Sequence, residues 1–117
     1  MIYTYKDLKV WQKAMNLAEE VYLLTDTFPK SEIYGMVSQM RRAAVSIPSN
    51  IAEGRYRSTR KDYLYFLRVA YSSGAELETQ MELAKRLSYI EQTSIQRTAE
   101  LLEEVMKMLN IMIRKMS

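Results

Sequence analysis

The sequence predicts an all-α protein: an antiparallel up-down-up-down four-helix bundle formed by residues 1–117 as a single domain. A chain of 117 residues fits one domain. Only 3 Gly and 2 Pro leave little material for turns, whereas 48% hydrophobic residues supply a core. Four stretches carry apolar residues at three- and four-residue steps, the spacing of one buried helical face. Short connections between these stretches give neighbouring helices opposite directions.

The first helix is predicted over about residues 7–25. Asp7 is the expected N-cap, because its carboxylate can accept a hydrogen bond from an unpaired N–H of the first turn. Phe28-Pro29 ends the pattern, since the residue before a proline is steered out of the helical conformation. The residues predicted to face the core are Leu8, Trp11, Met15, Ala18, Val21 and Tyr22.

The second helix is predicted over about residues 32–57, with Ser31 as its N-cap. Pro48 lacks an N–H and is expected to kink this helix, and a complete break at Ser46–Ser49 is the alternative. The residues predicted to face the core are Ile33, Val37, Met40, Ala44, Ile47 and Ile51.

The third and fourth helices are predicted over about residues 60–88 and 94–115. Thr59 to Asp62 resembles a capping box with Asp in place of Glu, and Thr93 to Gln96 fits the same pattern with Gln. Small residues at Ala70 and Gly74 would let a neighbouring helix come close. The third helix directs Tyr63, Phe66, Leu67, Ala70, Gly74, Leu77, Met81, Ala84 and Ser88 to the core. The fourth directs Leu101, Leu102, Val105, Met108, Leu109, Met112 and Ile113 there.

The two middle helices are apolar over a wider arc than the little more than 100° that one bundle interior needs. The additional apolar residues are Tyr34, Val45 and Ala52 on the second helix, and Leu64, Tyr65, Val69, Tyr71, Ala75, Leu83 and Leu87 on the third. This excess predicts self-association into a homo-oligomer. The alternative is a monomer with singly exposed apolar residues, which are common on protein surfaces.

The absence of Cys and His argues against an enzyme. Without them the chain has no disulfide, no thiolate ligand, no cysteine nucleophile and no imidazole base. A di-metal site at Glu53, Glu76 and Glu78 is not expected, because such bundle sites use Glu-x-x-His pairs. We therefore expect no metal and no cofactor. Residues 1–7 lack a signal-peptide pattern and no apolar run spans a bilayer, so a cytoplasmic location away from membranes is expected.

Positive charge is concentrated in the middle of the chain. Residues 41–68 contain seven basic residues and only two acidic ones, although the net charge of the whole chain is +3. The candidate nucleic-acid-binding residues are Arg55, Arg57, Arg60 and Lys61 around the turn between the second and third helices, with Arg41, Arg42 and Arg68 as further candidates. Arginine suits phosphate, and Tyr56 can stack on a base. The alternatives are a solvated turn, and pairing of Arg41, Arg42 and Arg68 with Glu53, Glu76 or Glu78.

The segment Ser46–Gly54 is unusually polar for a helix. Pro48 leaves the Ala44 carbonyl without its helical partner, and Ser or Asn side chains could help to satisfy it. We favour a structural polar network that reaches the third helix over a ligand pocket. Its predicted members are Gln39, Ser46, Asn50, Glu53, Glu76 and Glu78.

Several of these segments together resemble a known family. They are residues 7–14, Phe28-Pro29, residues 39–54 with the run Ser-Ile-Pro-Ser-Asn-Ile-Ala-Glu-Gly at its end, and residues 76–80. They are similar to the bacterial four-helix-bundle proteins encoded in intervening sequences of 23S ribosomal RNA genes. The resemblance implies a cytoplasmic protein without established enzymatic activity that forms a ring-shaped homopentamer. A similar ring occurs in the accessory protein of diversity-generating retroelements, which partners a reverse transcriptase and nucleic acid.

Two functional hypotheses follow. The first is a non-enzymatic, pentameric bundle that binds RNA or DNA through its basic surface by neutralising phosphates, with little sequence readout. The second is a protein-interaction adaptor, for example an accessory subunit of a reverse-transcriptase-like partner.

Overall fold

The computed structural model describes residues 3–117, and residues 1 and 2 of the predicted domain lie outside the described residues. Its four long helices are α1 (Lys9–Thr25), α2 (Met36–Tyr56), α3 (Arg60–Arg86) and α4 (Gln92–Met116). Two short 3-10 turns, Tyr5–Asp7 and Lys30–Glu32, precede α1 and α2. The part of the chain that the structure describes contains no strand, which confirms the all-α prediction. Within residues 3–117 no helix is long and apolar enough to cross a membrane.

Each helix packs against two others, and the bundle is 43 Å long and 23–25 Å across. At one end, α1 begins, α2 ends, α3 begins and α4 ends. There the Tyr5 and Tyr56 rings lie 5.7 Å apart, and Arg60 reaches the last carbonyls of α4. At the other end the α1–α2 and α3–α4 connections meet, where the Tyr89 hydroxyl donates to Glu32 at 2.8 Å. The chain therefore runs up and down the bundle, as the short connections predict.

The core confirms most of the predicted faces of α2 and α1 and corrects single positions in each. On α2, Val37, Met40, Ala44, Ile47 and Ile51 are all buried, whereas Ile33 precedes the helix and is exposed. For α1, the predicted residues Leu8, Ala18 and Val21 are buried and Trp11 is half-buried against the core. The buried face also includes residues that the prediction missed: Val10, Ala14, Leu17, Leu24 and Thr25. Met15 and Tyr22 are exposed, so these two predicted core positions are wrong.

On α3 and α4 most of the predicted core residues are buried or half-buried, and Ser88 is exposed beyond the end of α3. The prediction missed Ile95 and Thr98, which are buried near the start of α4. Both lie one to two turns before Leu101, the first residue predicted for this face, and their spacing continues the same apolar pattern.

The predicted N-caps of α1 and α2 are wrong, because carboxylates bind the backbone elsewhere. Asp7 lies in the first 3-10 turn, where its carboxylate accepts from the N–H groups of Tyr3 and Thr4. These bonds hold the pKa of Asp7 below its ordinary value. Helix α2 starts at Met36, whose N–H donates to Glu32 at 3.1 Å, and Ser31 lies in the preceding turn. The hydrogen bond from the Met36 N–H and the one from the Tyr89 hydroxyl together lower the pKa of Glu32.

The two predicted capping boxes have different outcomes. The Thr59 hydroxyl accepts from the Asp62 N–H at 3.1 Å, which confirms Thr59 as the N-cap of α3. The prediction for α4 is wrong, because the helix starts at Gln92 and Thr93 already lies in its first turn. Glu91 occupies the cap position without a side-chain hydrogen bond to the helix.

Two glycines mark close contacts between helices. A Cβ at Gly54 would lie 2.9 Å from both Phe66 Cβ and Tyr63 Cδ1. The backbone of α2 therefore packs directly against side chains of α3 at this point. At Gly74 the crowding atom is the sulfur of Met106 on α4, which confirms that this small residue admits a neighbouring helix. The Phe66 Cβ is fixed to its backbone, whereas the Met106 thioether can rotate away.

Helix α3 ends in a Schellman motif with serine at the position that glycine usually occupies. The Tyr89 N–H donates to the Ala84 carbonyl, and the Ser88 N–H donates to that of Lys85, both at 3.0 Å. Ser88 has a φ of 62°, the left-handed region. A residue with a Cβ costs roughly 1–2 kcal/mol there, and glycine avoids that cost.

We expect Ser88→Gly to raise the free energy of unfolding by about 0.5–1 kcal/mol, because relief of the strain outweighs the larger entropy of glycine in the unfolded chain. Thermal unfolding followed by circular dichroism should show a midpoint higher by a few degrees. Ser72→Gly, at an exposed position inside α3, is the matched control and should lower stability. Equal effects of the two substitutions would contradict the assignment of strain to Ser88.

We expect Gly54→Ala to lower the free energy of unfolding by about 1–3 kcal/mol, since α2 and α3 must move apart to admit the methyl group. Gly74→Ala should be close to neutral, because Met106 can change rotamer and alanine favours the helix. Urea unfolding of both variants measures the difference. A larger loss at residue 74 than at residue 54 would mean that α3 and α4, not α2 and α3, form the tighter contact.

Candidate nucleic-acid interface

The end of the bundle where α2 ends and α3 begins carries a strong excess of positive charge. We define the basic end as residues 3–9, 53–62 and 114–117, which the antiparallel helices bring together. These segments hold eight basic residues against Asp7, Glu53 and Asp62. The remainder of the chain holds nine basic and eleven acidic residues. The positive charge of the chain is therefore localised at one end.

Two of the four principal candidates at the basic end make structural contacts. The Arg57 guanidinium pairs with Glu53 at 2.8 Å and lies 4.9 Å from the centre of the Phe66 ring. Arg60 donates to the carbonyls of Met116 and Lys115 at 2.9 and 3.0 Å, and so caps the last turn of α4. Both residues are exposed, but a phosphate would compete with these contacts.

The other two principal candidates, Arg55 and Lys61, are exposed and form no ion pair with another described residue. Arg55 lies close enough to Tyr63 to act on its hydroxyl. Burial raises the pKa of the Tyr63 hydroxyl, and the charge of Arg55 opposes part of that rise. Tyr63 is therefore neutral at pH 7, and Arg55 is exposed beside it.

The three further candidates lie away from the basic end. Arg41 is bound to the last turn of α1, where it donates to the Thr25 hydroxyl at 2.9 Å and to Asp26 at 3.0 Å. Its guanidinium also lies 4.4 Å from the centre of the Tyr22 ring. Arg42 and Arg68 are exposed along α2 and α3. Within residues 3–117 none of the three pairs with Glu53, Glu76 or Glu78.

The structure joins two of the six predicted polar-network residues. Asn50 donates to the carbonyl and hydroxyl oxygens of Ser46 at 2.7 and 2.9 Å, and the Ser46 hydroxyl lies 2.8 Å from that of Ser73 on α3. Helix α2 continues through Pro48 without the alternative break. The Asn50 amide binds the Ser46 carbonyl, not the expected carbonyl of Ala44.

The other four predicted members, Gln39, Glu53, Glu76 and Glu78, are exposed and lie outside this cluster. Of these only Glu53 forms an ion pair within the described residues, with Arg57. No group of three acidic side chains among residues 3–117 could hold a metal ion.

The structure also brings residues to the basic end that sequence reasoning did not include. Tyr3, Tyr5 and Lys6 arrive from the start of the chain, and Arg114 and Lys115 arrive from the end of α4. The signal that could have found them is topology, because in an up-down bundle the first turn of helix one and the last turn of helix four flank the second connection. Aromatic and cationic side chains therefore meet at this end.

Fold and charge together define a class: a small four-helix bundle with a basic, tyrosine-bearing end. The sequence profile of the 23S rRNA-intervening sequence proteins matches residues 6–111, and the chain belongs to this family. A protein of unknown function from the S23 ribosomal protein family of Bacteroides thetaiotaomicron, whose crystal structure is known, is 25% identical in sequence. The similarity covers 89% of this chain and 97% of that one, with a TM-score of 0.80. No significant match exists among curated protein sequences.

We expect Arg41→Ala to lower the free energy of unfolding by about 1–3 kcal/mol, because it removes charge-assisted hydrogen bonds to the last turn of α1. Arg42→Ala removes the same charge at an exposed neighbouring position and should change stability by less than about 0.5 kcal/mol. Urea unfolding of the pair gives the comparison. Similar stability of the two variants would show that the Arg41 contacts contribute nothing.

Proposed function

We propose that this protein is a non-enzymatic homo-oligomer, a ring of five subunits, that binds RNA or DNA in the cytoplasm through its basic end. The observation that carries this proposal is the separation of charge along the bundle, with an excess of basic residues at one end and a slightly acidic remainder. The ligand would be held by phosphate neutralisation, which carries little sequence information.

The uncommitted cations support phosphate binding at this site. Arg55 and Lys61 are exposed and form no ion pair with another described residue, and the ion pair of exposed Arg57 with Glu53 is weak enough for a phosphate to displace. The family name refers to 23S rRNA, which makes RNA the first ligand to test. A single subunit offers few contacts, whereas a ring would present several basic ends to one strand and strengthen binding through avidity.

Exposed apolar side chains support association of subunits. One edge of α3, which also carries Ser73 toward α2, holds the exposed residues Tyr65, Leu83 and Leu87 and the half-buried Val69. Leu83 and Leu87 are each 47% exposed, and Val45 on α2 is 40% exposed. When another subunit covers such a row, apolar surface is removed from water, and this burial favours association.

To test phosphate binding, we would measure the affinity of the protein for a fluorescent single-stranded RNA across a range of salt concentrations. Affinity should fall steeply with salt, with a slope of about 0.7 for each phosphate contact. Arg55→Glu with Lys61→Glu should weaken binding at least about tenfold and reduce that slope.

The matched control for this test is Lys30→Glu with Arg86→Glu, which changes net charge equally at the opposite end of the bundle. It should retain most of the affinity. Salt-independent binding, or equal losses in both double variants, would contradict the site. Co-purification of a protein after nuclease treatment, without RNA or DNA affinity, would favour the adaptor function instead.

To test assembly, we would measure the mass in solution by light scattering, where a ring of five 13.8-kDa chains is expected. Leu83→Glu with Leu87→Glu should produce a helical monomer, because each charge would have to be buried in the interface. Leu23→Glu alters an exposed leucine of α1 and serves as the control. A wild-type monomer at high concentration would overturn the assembly, and dissociation by the control alone would move the interface to α1.

A further inference from the structure

A cleft at the basic end combines exposed aromatic rings with a cation. It is lined by Tyr3, Thr4, Tyr5, Arg55 and Tyr56 and encloses about 300 Å³, open to solvent. Tyr3 and Tyr56 are 79% and 78% exposed, which is unusual for side chains of this size. We propose that this cleft binds single-stranded nucleic acid by stacking an unpaired base on Tyr56 and Tyr3 while Arg55 holds the adjacent phosphate. This proposal rests on the proposed nucleic-acid-binding function.

The wall formed by Tyr5 is held in place by its neighbours. The Tyr5 and Trp11 rings meet edge to face with their centres 5.3 Å apart, and the centre of the Tyr56 ring lies 5.7 Å from that of Tyr5 at a tilt of 56°. The Asp7 carboxylate accepts hydrogen bonds from the backbone N–H groups of Tyr3 and Thr4. The Thr4 hydroxyl accepts one from the backbone N–H of Lys6. A wall that is already ordered loses little entropy when a ligand binds.

Arg55 is the cation best placed to hold a phosphate beside this cleft. It lines the cleft, whereas Arg57 is paired with Glu53 and Arg60 is bound to the end of α4. Lys6, next to Tyr5 in the sequence, is exposed at the same end. One strand could therefore place a base on the rings and its backbone along these cations.

The chemistry of the cleft selects unpaired bases. Every base has two π-faces, but in a duplex both faces are covered by the neighbouring base pairs, so a tyrosine cannot stack on them without opening the helix. The lining offers tyrosine rings and a cation and few groups for reading base edges, so we expect little sequence preference. The phenol ring and the phosphate contact serve RNA and DNA alike.

The test compares the full chain and its variants on three labelled ligands: a 12-nucleotide uridine RNA, the corresponding DNA strand and a 12-base-pair duplex. Tyr56→Ala should weaken single-strand binding about 5- to 150-fold, the usual loss for one stacked base. Duplex binding and the salt slope should stay unchanged, because no phosphate contact is lost. Tyr56→Phe should retain the affinity, and Tyr34→Ala, which removes a 95% exposed tyrosine before α2, should have no effect.

Thermal unfolding of each variant separates loss of binding from loss of folding, and Tyr56→Phe preserves the ring contact with Tyr5. A salt-dependent affinity that Tyr56→Ala leaves intact would overturn the stacking cleft and keep the proposed function. Equal losses on the duplex and on the single strands would also overturn it. No binding of any of the three ligands at low salt would overturn both proposals. A preference between the RNA and DNA strands would identify the natural ligand.

Discussion

The close approach of α2 to α3 beside Gly54 is the contact on which the rest of the molecule depends. With no side chain at Gly54, Tyr63 and Phe66 lie directly against the α2 backbone. Two turns away, the hydrogen bond between Ser46 and Ser73 again joins the two helices. Because both helices are held together along this length, the turn between them has only three residues, and its cations cannot move away from the end of the bundle.

The fold could be predicted from the sequence because apolar spacing is regular on α2, where polar residues clearly separate the buried positions. On α1 the same spacing also admits Met15 and Tyr22, which are exposed although other residues of the predicted face are buried. Helix starts were harder, because they depend on partners distant in sequence. Glu32 caps α2 while it accepts a hydrogen bond from Tyr89, a residue of another connection.

The candidate site was partly predictable for a related reason. The cations around one turn, with Tyr56 among them, are adjacent in the sequence and could be predicted directly. The other two tyrosines of the cleft, Tyr3 and Tyr5, come from the first residues of the described chain. The sequence also does not separate cations that hold the fold from those free to meet a ligand. Arg41 and Arg42 are adjacent in the sequence, yet only Arg41 binds the end of α1, through Thr25 and Asp26. The reason is that consecutive residues of a helix point about 100° apart.

The shared end of α1 and α4 has a practical consequence for anyone who produces this protein. Tyr3 lines the tyrosine cleft, and the last turn of α4 lies at the same end of the bundle, where Arg60 binds it. An affinity tag or fluorescent fusion attached next to either of these segments would therefore be placed near the basic surface. A polyhistidine tag would add its own charge and metal affinity there. The α1–α2 connection lies at the opposite end of the bundle, which is 43 Å long, and offers an attachment point that would leave this surface uncovered.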